Sequence, residues 1–169
     1  MWDLLERTGL VVVAHQVEGD EHVDRQVGQF DPLRDTAATQ LLAAHVADSS
    51  PEVAAIIVPD GIAAAVLGYA VAAPMGARVV RLFVDEGLIV SSGGLERNMR
   101  VLVVSPVADD SSRALVERYL RSMEATVVGT VAVVGMGSSR MRPLADLETR
   151  RVPAAECLHC ADGMVGRRP

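Results

Sequence analysis

The chain has 169 residues, 50% of them hydrophobic, and a net charge of −6. That is enough apolar material for one packed domain, and the acidic balance excludes the basic face that nucleic acid requires. All 16 basic residues are arginine, which rules out a lysine Schiff base, lysine general base or lysine phosphate clamp within this chain.

Residues 2–8 form a short amphipathic helix with Trp2, Leu4 and Leu5 as its apolar positions. The β-branched run 10–17 reads as a strand. Residues 22–30, alternating through Val23, Arg25 and Val27, read as its hairpin partner. A turn at 31–35 leads to a helix capped by Asp35 or Thr36. It runs to about Val46, with Leu41, Leu42, Ala44 and His45 toward its inner side. A buried strand at 53–59 follows. The next helix is opened by Asp60 and Gly61 and stopped near Pro74 and Gly76, and a strand at 77–84 comes after it.

Residues 85–98 are polar and glycine-rich, a flexible arm or hairpin. Residues 99–105 are a strand. The helix led by Asp109-Asp110-Ser111-Ser112 runs to about Met123, and 125–135 is a further strand. In the Arg-, Pro- and Gly-rich tail from Met136, "PLADLE" reads as a short helix and "TRRVP" as strand-like. Strand–helix–strand alternation with apolar strands predicts an α/β domain: a parallel sheet covered by helices on both sides. The apolar stretch 62–75 is too short to span a bilayer. The acidic amphipathic start "MWDLLERTG" is not a signal peptide. Together they predict a cytoplasmic protein with no membrane partner.

The order of these pieces resembles an orotate phosphoribosyltransferase of the type I phosphoribosyltransferase family, over nearly the full length. "GLVVVAHQVEGDEHVDRQVGQF" is similar to that family's N-terminal hood, and "IIVPDGIAAAVLGYAVAAPMGARVV" to its strand, pyrophosphate loop and helix. "MRVLVVSPVADDSSRALVERYLRSMEATVVGTVAVVGMGS" is similar to its signature strand, loop, helix and next strand, and "VPAAECLHC" to the Glu-Cys-Pro-Leu-Cys tail of some members. The resemblance implies a single domain over 1–169, with 1–32 and the tail 140–169 contributing the hood. It also implies a homodimer, or a heterodimer with an intact paralogue, and a place in bacterial pyrimidine metabolism.

The anion-binding motifs of that family are altered here. Its signature loop carries an acidic pair near the ribose hydroxyls of phosphoribosyl pyrophosphate, then Thr-Thr-Gly-Gly around the 5-phosphate. Those positions are Ser105 and Pro106, then Asp109, Asp110, Ser111 and Ser112. Pro106 offers neither N–H nor carboxylate. A carboxylate ~4 Å from a phosphate at an effective dielectric of ~20 is repelled by roughly 4 kcal/mol, and half that after rotation and solvation. The pyrophosphate loop is Pro59-Asp60-Gly61, one residue shorter and acidic. The arm carries Asp85, Glu86, Glu96 and Arg97 where the family has lysines.

The expected site lies beyond the carboxyl ends of the strands, where open parallel sheets bind ligands. The candidates are Asp60, Gly61, Asp85, Asp109, Asp110, Ser111 and Ser112, with Arg97 from the arm and His22, Asp24 and Arg25 from the hood. Asp109 and Asp110 are either helix caps, a Mg²⁺-binding pair or acid/base groups. His22, Asp24 and Arg25 are either solvated hood residues or base-binding ones. The Cys157/Cys160 pair supplies two of the four ligands zinc needs, and the remainder would come from a second chain or from His15 or His45. Reduced packing cysteines and a redox pair are the other readings.

These features predict a divergent orotate phosphoribosyltransferase-like protein that has lost ordinary ribosyl transfer. It would be retained for binding or regulation, or repurposed for a non-phosphorylated small molecule in specialised metabolism. One alternative is an active transferase using Mg²⁺ and phosphoribosyl pyrophosphate, with a phosphate cradle at 137–140 or 91–94. Another is a new enzyme with Asp60, Asp109 and Asp110 as acid/base groups.

Overall fold

The computed structural model describes residues 1–18, 21–59, 61–86, 88–135, 141–147, 151–157 and 160. Helix α1 (Trp2–Arg7) is followed by strands β1 (Val11–Glu18) and β2 (Glu21–Val27), an antiparallel pair with Val11 opposite Val27. Helix α2 (Thr36–Asp48) begins at Asp35, whose carboxylate accepts the Ala38 N–H at 2.9 Å. Its buried face is Ala38, Leu42, Ala43 and Val46. Leu41, Ala44 and His45, expected inside, are exposed. The helix is apolar around much of its girth, so periodicity alone does not choose which leucine faces in.

Strand β3 (Ala55–Val58) is buried along its whole length. Helix α3 (Ile62–Met75) follows and ends where Gly76 takes a left-handed conformation at φ 62°. Strand β4 (Arg78–Asp85) lies parallel to β3 and turns back into β5 (Leu88–Ser91), with Asp85 opposite Leu88. The glycine-rich arm thus starts as an ordered hairpin. Strand β6 (Arg100–Val107), helix α4 (Asp110–Ser122) and strand β7 (Thr126–Gly135) complete the strand–helix–strand alternation.

The segment read as a helix at "PLADLE" is instead strand β8 (Arg142–Asp146), parallel to β7 with Ala132 opposite Pro143. Pairing with a formed edge outweighs local helix propensity here, and the sheet rim tolerates the proline's missing N–H. Strand β9 (Arg151–Pro153) pairs with β2 and leads into a 3₁₀ turn, Ala154–Glu156.

Two sheets result: a six-stranded one in the order β5-β4-β3-β6-β7-β8, all parallel except β5, and a three-stranded hood sheet, β1-β2-β9. The strand residues sort by alternation. Ile56, Val58, Leu102, Val104 and Val133 pack with α2, α3 and the hood residues Leu5, Leu10 and Val11. Ala55, Ile57, Val80, Leu82, Val101 and Val103 pack with Val116 and Leu120 of α4. Burial on both faces accounts for the near-continuous apolar runs in these strands. The tail divides between the two sheets, because β8 joins the main sheet while β9 joins the hood. No helix among the described residues is long and apolar enough to cross a membrane.

Candidate functional site

The main sheet is notched at its carboxyl edge. Strand β3 stops at Val58, while β4 continues past Arg81, the partner of Val58, to Asp85, and β6 continues past Val103, the partner of Ile57, to Val107. Gly61 sits at the foot of the notch with φ 126°, a conformation that favours glycine, and its carbonyl accepts the Ala65 N–H at 3.0 Å. On the α4 side the notch opens into a cavity of about 180 Å³ lined by Pro59, Leu82, Phe83, Val84, Ile89, Leu115 and Val116. This lining is apolar. The charges at the strand ends stand out in the sequence, whereas Phe83 and Leu115 carry no local mark of a site.

The connection from β6 to α4 is only Ala108 and Asp109. Strand pairing continues through it, with the Ala108 N–H donating to the Val134 carbonyl at 2.8 Å. Ser105 and Pro106 belong to the strand, and the Ser105 hydroxyl donates to the Val107 carbonyl at 2.7 Å. Asp109 holds the N-cap position, its carbonyl accepting the Arg113 N–H at 2.9 Å. Asp110 opens the helix, with its carboxylate 3.3 Å from the Arg113 guanidinium. Arg113 also grips Glu117 at 2.6 Å, and Glu117 first, then Asp110, raises its pKa further. The acidic loop therefore has a cation beside it, Arg113, but that cation is bound along its own helix.

Asp85 ends β4 and is exposed on the opposite bank of the notch. Arg97 is at the other end of the sheet, paired with Glu124 at 2.8 Å. It lines a hollow of about 660 Å³ of mixed character, with Glu52, Glu96, Asn98 and Arg100 beside Val53, Ala54 and Met99. The chain has returned to the amino end by Arg97 because β6 begins only three residues later, at Arg100. The structure does not bring Arg97 to the notch. Of the alternative phosphate cradles, residues 91–94 continue the hairpin, with the Ser92 hydroxyl accepting the Arg81 N–H at 2.9 Å. Residues 137–140 lie outside the described residues, as does Asp60. The side chains of Asp24, Arg25, Ser111 and Ser112 are likewise outside the description.

His22 has a different setting from the one expected. It is 6% exposed, on β2 opposite Val152 of β9, and its Nδ1 is 3.3 Å from Cys160 Sγ. Cys157 is buried and Cys160 is exposed, and neither is in a disulfide. Desolvation and the neighbouring Cys157 thiol push the Cys160 thiol above its ordinary range. In sequence His22 belongs to the hood and the cysteines to the tail. Only the β2–β9 pairing, with no local signal in either segment, joins them.

No family model matches the chain, and no characterised protein matches it in sequence. Solved structures do match. Orotate phosphoribosyltransferase from Aeropyrum pernix superposes with a TM-score of 0.66 at 17% identity, over 97% of this chain and 98% of that one. The Mycobacterium tuberculosis H37Rv orotate phosphoribosyltransferase, solved with inorganic phosphate, gives 0.57 at 19% identity, over 86% and 94%. Adenine phosphoribosyltransferase from Trypanosoma brucei, solved with AMP, pyrophosphate and ribose-5-phosphate, gives 0.59 at 11% identity, over 96% and 92%. At these identities the likeness is one of fold. The six mostly parallel strands flanked by helices, and the superposition over nearly the whole of both chains, give the chain the type I phosphoribosyltransferase-like α/β fold.

Proposed function

We propose that this protein binds a small uncharged molecule with one ring-sized apolar part in the notch above β3, and that it does not carry out ordinary ribosyl transfer from phosphoribosyl pyrophosphate. The observation behind this reading is the two-residue connection Ala108–Asp109 beside an apolar cavity. A phosphate cradle needs a run of backbone N–H groups bent around the anion. Here the segment stays in strand pairing and then enters the helix through two carboxylates. The cavity of about 180 Å³ is close to the ~150 Å³ that holds one benzene ring in an engineered apolar cavity. An apolar-lined recess with polar groups at its rim is the ordinary form of a small-molecule site. The expected roles in binding or regulation, and a homodimer or paired assembly, are consistent with this reading and form part of the proposal.

The test is calorimetry and thermal unfolding with phosphoribosyl pyrophosphate plus Mg²⁺ on one side and a panel of neutral aromatic fragments on the other. The expected result is stabilisation by at least one fragment, none by phosphoribosyl pyrophosphate, and no pyrophosphate release with orotate or adenine. Pyrophosphate release at millimolar substrate that Asp109→Asn abolishes would overturn the proposal.

A further inference from the structure

Away from the notch, the hood gathers a histidine and two thiols. The donor atoms of His22, Cys157 and Cys160 all lie within 4.8 Å of one another. We propose that these three side chains bind a divalent transition metal of the zinc class, which fastens the C-terminal segment to the hood. Water or an added donor takes the fourth position.

The distances fit. Zn–S bonds of ~2.3 Å and Zn–N bonds of ~2.0 Å in a tetrahedron put sulfur and nitrogen about 3.5 Å apart and two sulfurs about 3.8 Å apart. The Nδ1 to Cys160 Sγ separation is already 3.3 Å. No spacing needs to close by more than about 1.3 Å to meet the tetrahedral value. The donor chemistry is selective. Two thiolates and an imidazole suit zinc, cobalt or similar ions and disfavour Mg²⁺ and Ca²⁺, which take oxygen ligands.

The backbone also prepares the site. Strand β2 fixes His22 through its pairing with β9. The 3₁₀ turn Ala154–Glu156 delivers Cys157, and a hydrogen bond from the Cys160 N–H to the Cys157 carbonyl at 3.1 Å folds the pair back. A metal here would link positions 138 residues apart. It would thus remove far more freedom from the unfolded chain than a Cys157–Cys160 disulfide, which closes only a short loop and leaves the histidine unused.

The test uses the full chain, reduced and stripped of metal by a chelator. Cobalt titration is expected to give thiolate-to-metal charge-transfer absorption and the intense visible bands of a tetrahedral site, saturating at one ion per chain. Zinc should displace the cobalt and raise Tm. Cys160→Ser is expected to weaken zinc binding by more than about a hundredfold, beyond the loss typical of disturbing a ligand's hydrogen-bond partner. It should also abolish the zinc-dependent rise in Tm. Because Cys160 is exposed, the metal-free variant should melt close to the wild type. His22→Asn should change the visible cobalt bands, with circular dichroism confirming that the variant is folded. The proposal is overturned if wild type binds zinc no more tightly than Cys160→Ser does. It is also overturned if the cobalt spectrum is indifferent to folded His22→Asn, or if the reduced protein takes up no metal and the thiols simply oxidise to a disulfide. None of these readouts involves the notch, so failure here leaves the reading of that site standing.

Discussion

Asp35 does two jobs with one carboxylate. It caps α2 through the Ala38 N–H, and it pairs with Arg7 of α1 at 2.7 Å. In doing so it ties the N-terminal helix to the helix that covers the sheet. The Ala38 hydrogen bond first, and Arg7 next, hold its pKa below the usual carboxylate range. A depressed carboxylate stabilises the fold above the unfolded-state pKa of about 3.9, and that contribution disappears as pH falls through the lower folded-state value. Asparagine caps as well as aspartate but carries no charge. Asp35→Asn should therefore melt below wild type at neutral pH, and the two curves should converge in acid. A Tm-against-pH series measures this, and a gap that persists at the lowest pH would remove Asp35 as its source. At the notch, Val84 is 58% exposed and lines the cavity, so a charge there should be tolerated by the fold. Val84→Asp should weaken any neutral ring fragment by about tenfold, the loss of about one buried methyl or methylene group plus a desolvated charge nearby. Calorimetry on the variant checks it.

Among the elements, α3 is bound to the sheet through a glycine. A Cβ at Gly68 would collide with Val58 Cγ1, the last residue of β3. The helix thus approaches closely at the level where the strand ends and the notch begins. Gly68→Val should force α3 away from the sheet and cost about 1–3 kcal/mol, read as a lower denaturant midpoint. An unchanged midpoint would mean that the helix has slack there. The same close packing explains why β3, α3 and β4 could be read from sequence. Their apolar runs and the Pro59-to-Gly61 break are local signals. The β8 segment gave the wrong local signal, because Leu144 to Glu148 favour helix while the strand exists only through pairing with β7. The site divides in the same way. The strand-end position and the acidic Asp109 and Asp110 were legible. The apolar walls at Phe83 and Leu115 were not, because a hairpin and a helix far apart in sequence must meet to make them. The approach of His22 to Cys157 and Cys160 lacked any local trace for the same reason.

At the scale of the molecule, stability is divided unevenly between the two sheets. Strands β3 and β6 lie at the centre of the larger sheet, with Ile56, Ile57 and Leu102 all fully buried. Leu102→Ala should cost about 2–5 kcal/mol through lost burial and a cavity, and should lower the whole unfolding transition. The hood has only three strands, two of them edges, and it joins the main core through Leu5, Leu10, Val11 and Phe30. Fewer buried contacts and more edge backbone mean that it opens at lower free energy than the sheet. Amide hydrogen exchange should therefore find the slowest protons in β3 and β6, matching global stability, and faster exchange in β1 and β2. In metal-free protein the β2–β9 amides depend on the strand pairing and the 3₁₀ turn. With zinc bound between His22 and the two thiols, separation of those strands would also require breaking coordination. Zinc should thus slow exchange in β2 and β9, whose separation now breaks coordination, and should slow the globally exchanging amides of β3 and β6 in step with the rise in Tm, and Cys160→Ser should erase both effects. Slowing confined to β3 and β6 would instead show that β2 and β9 separate with the coordination intact.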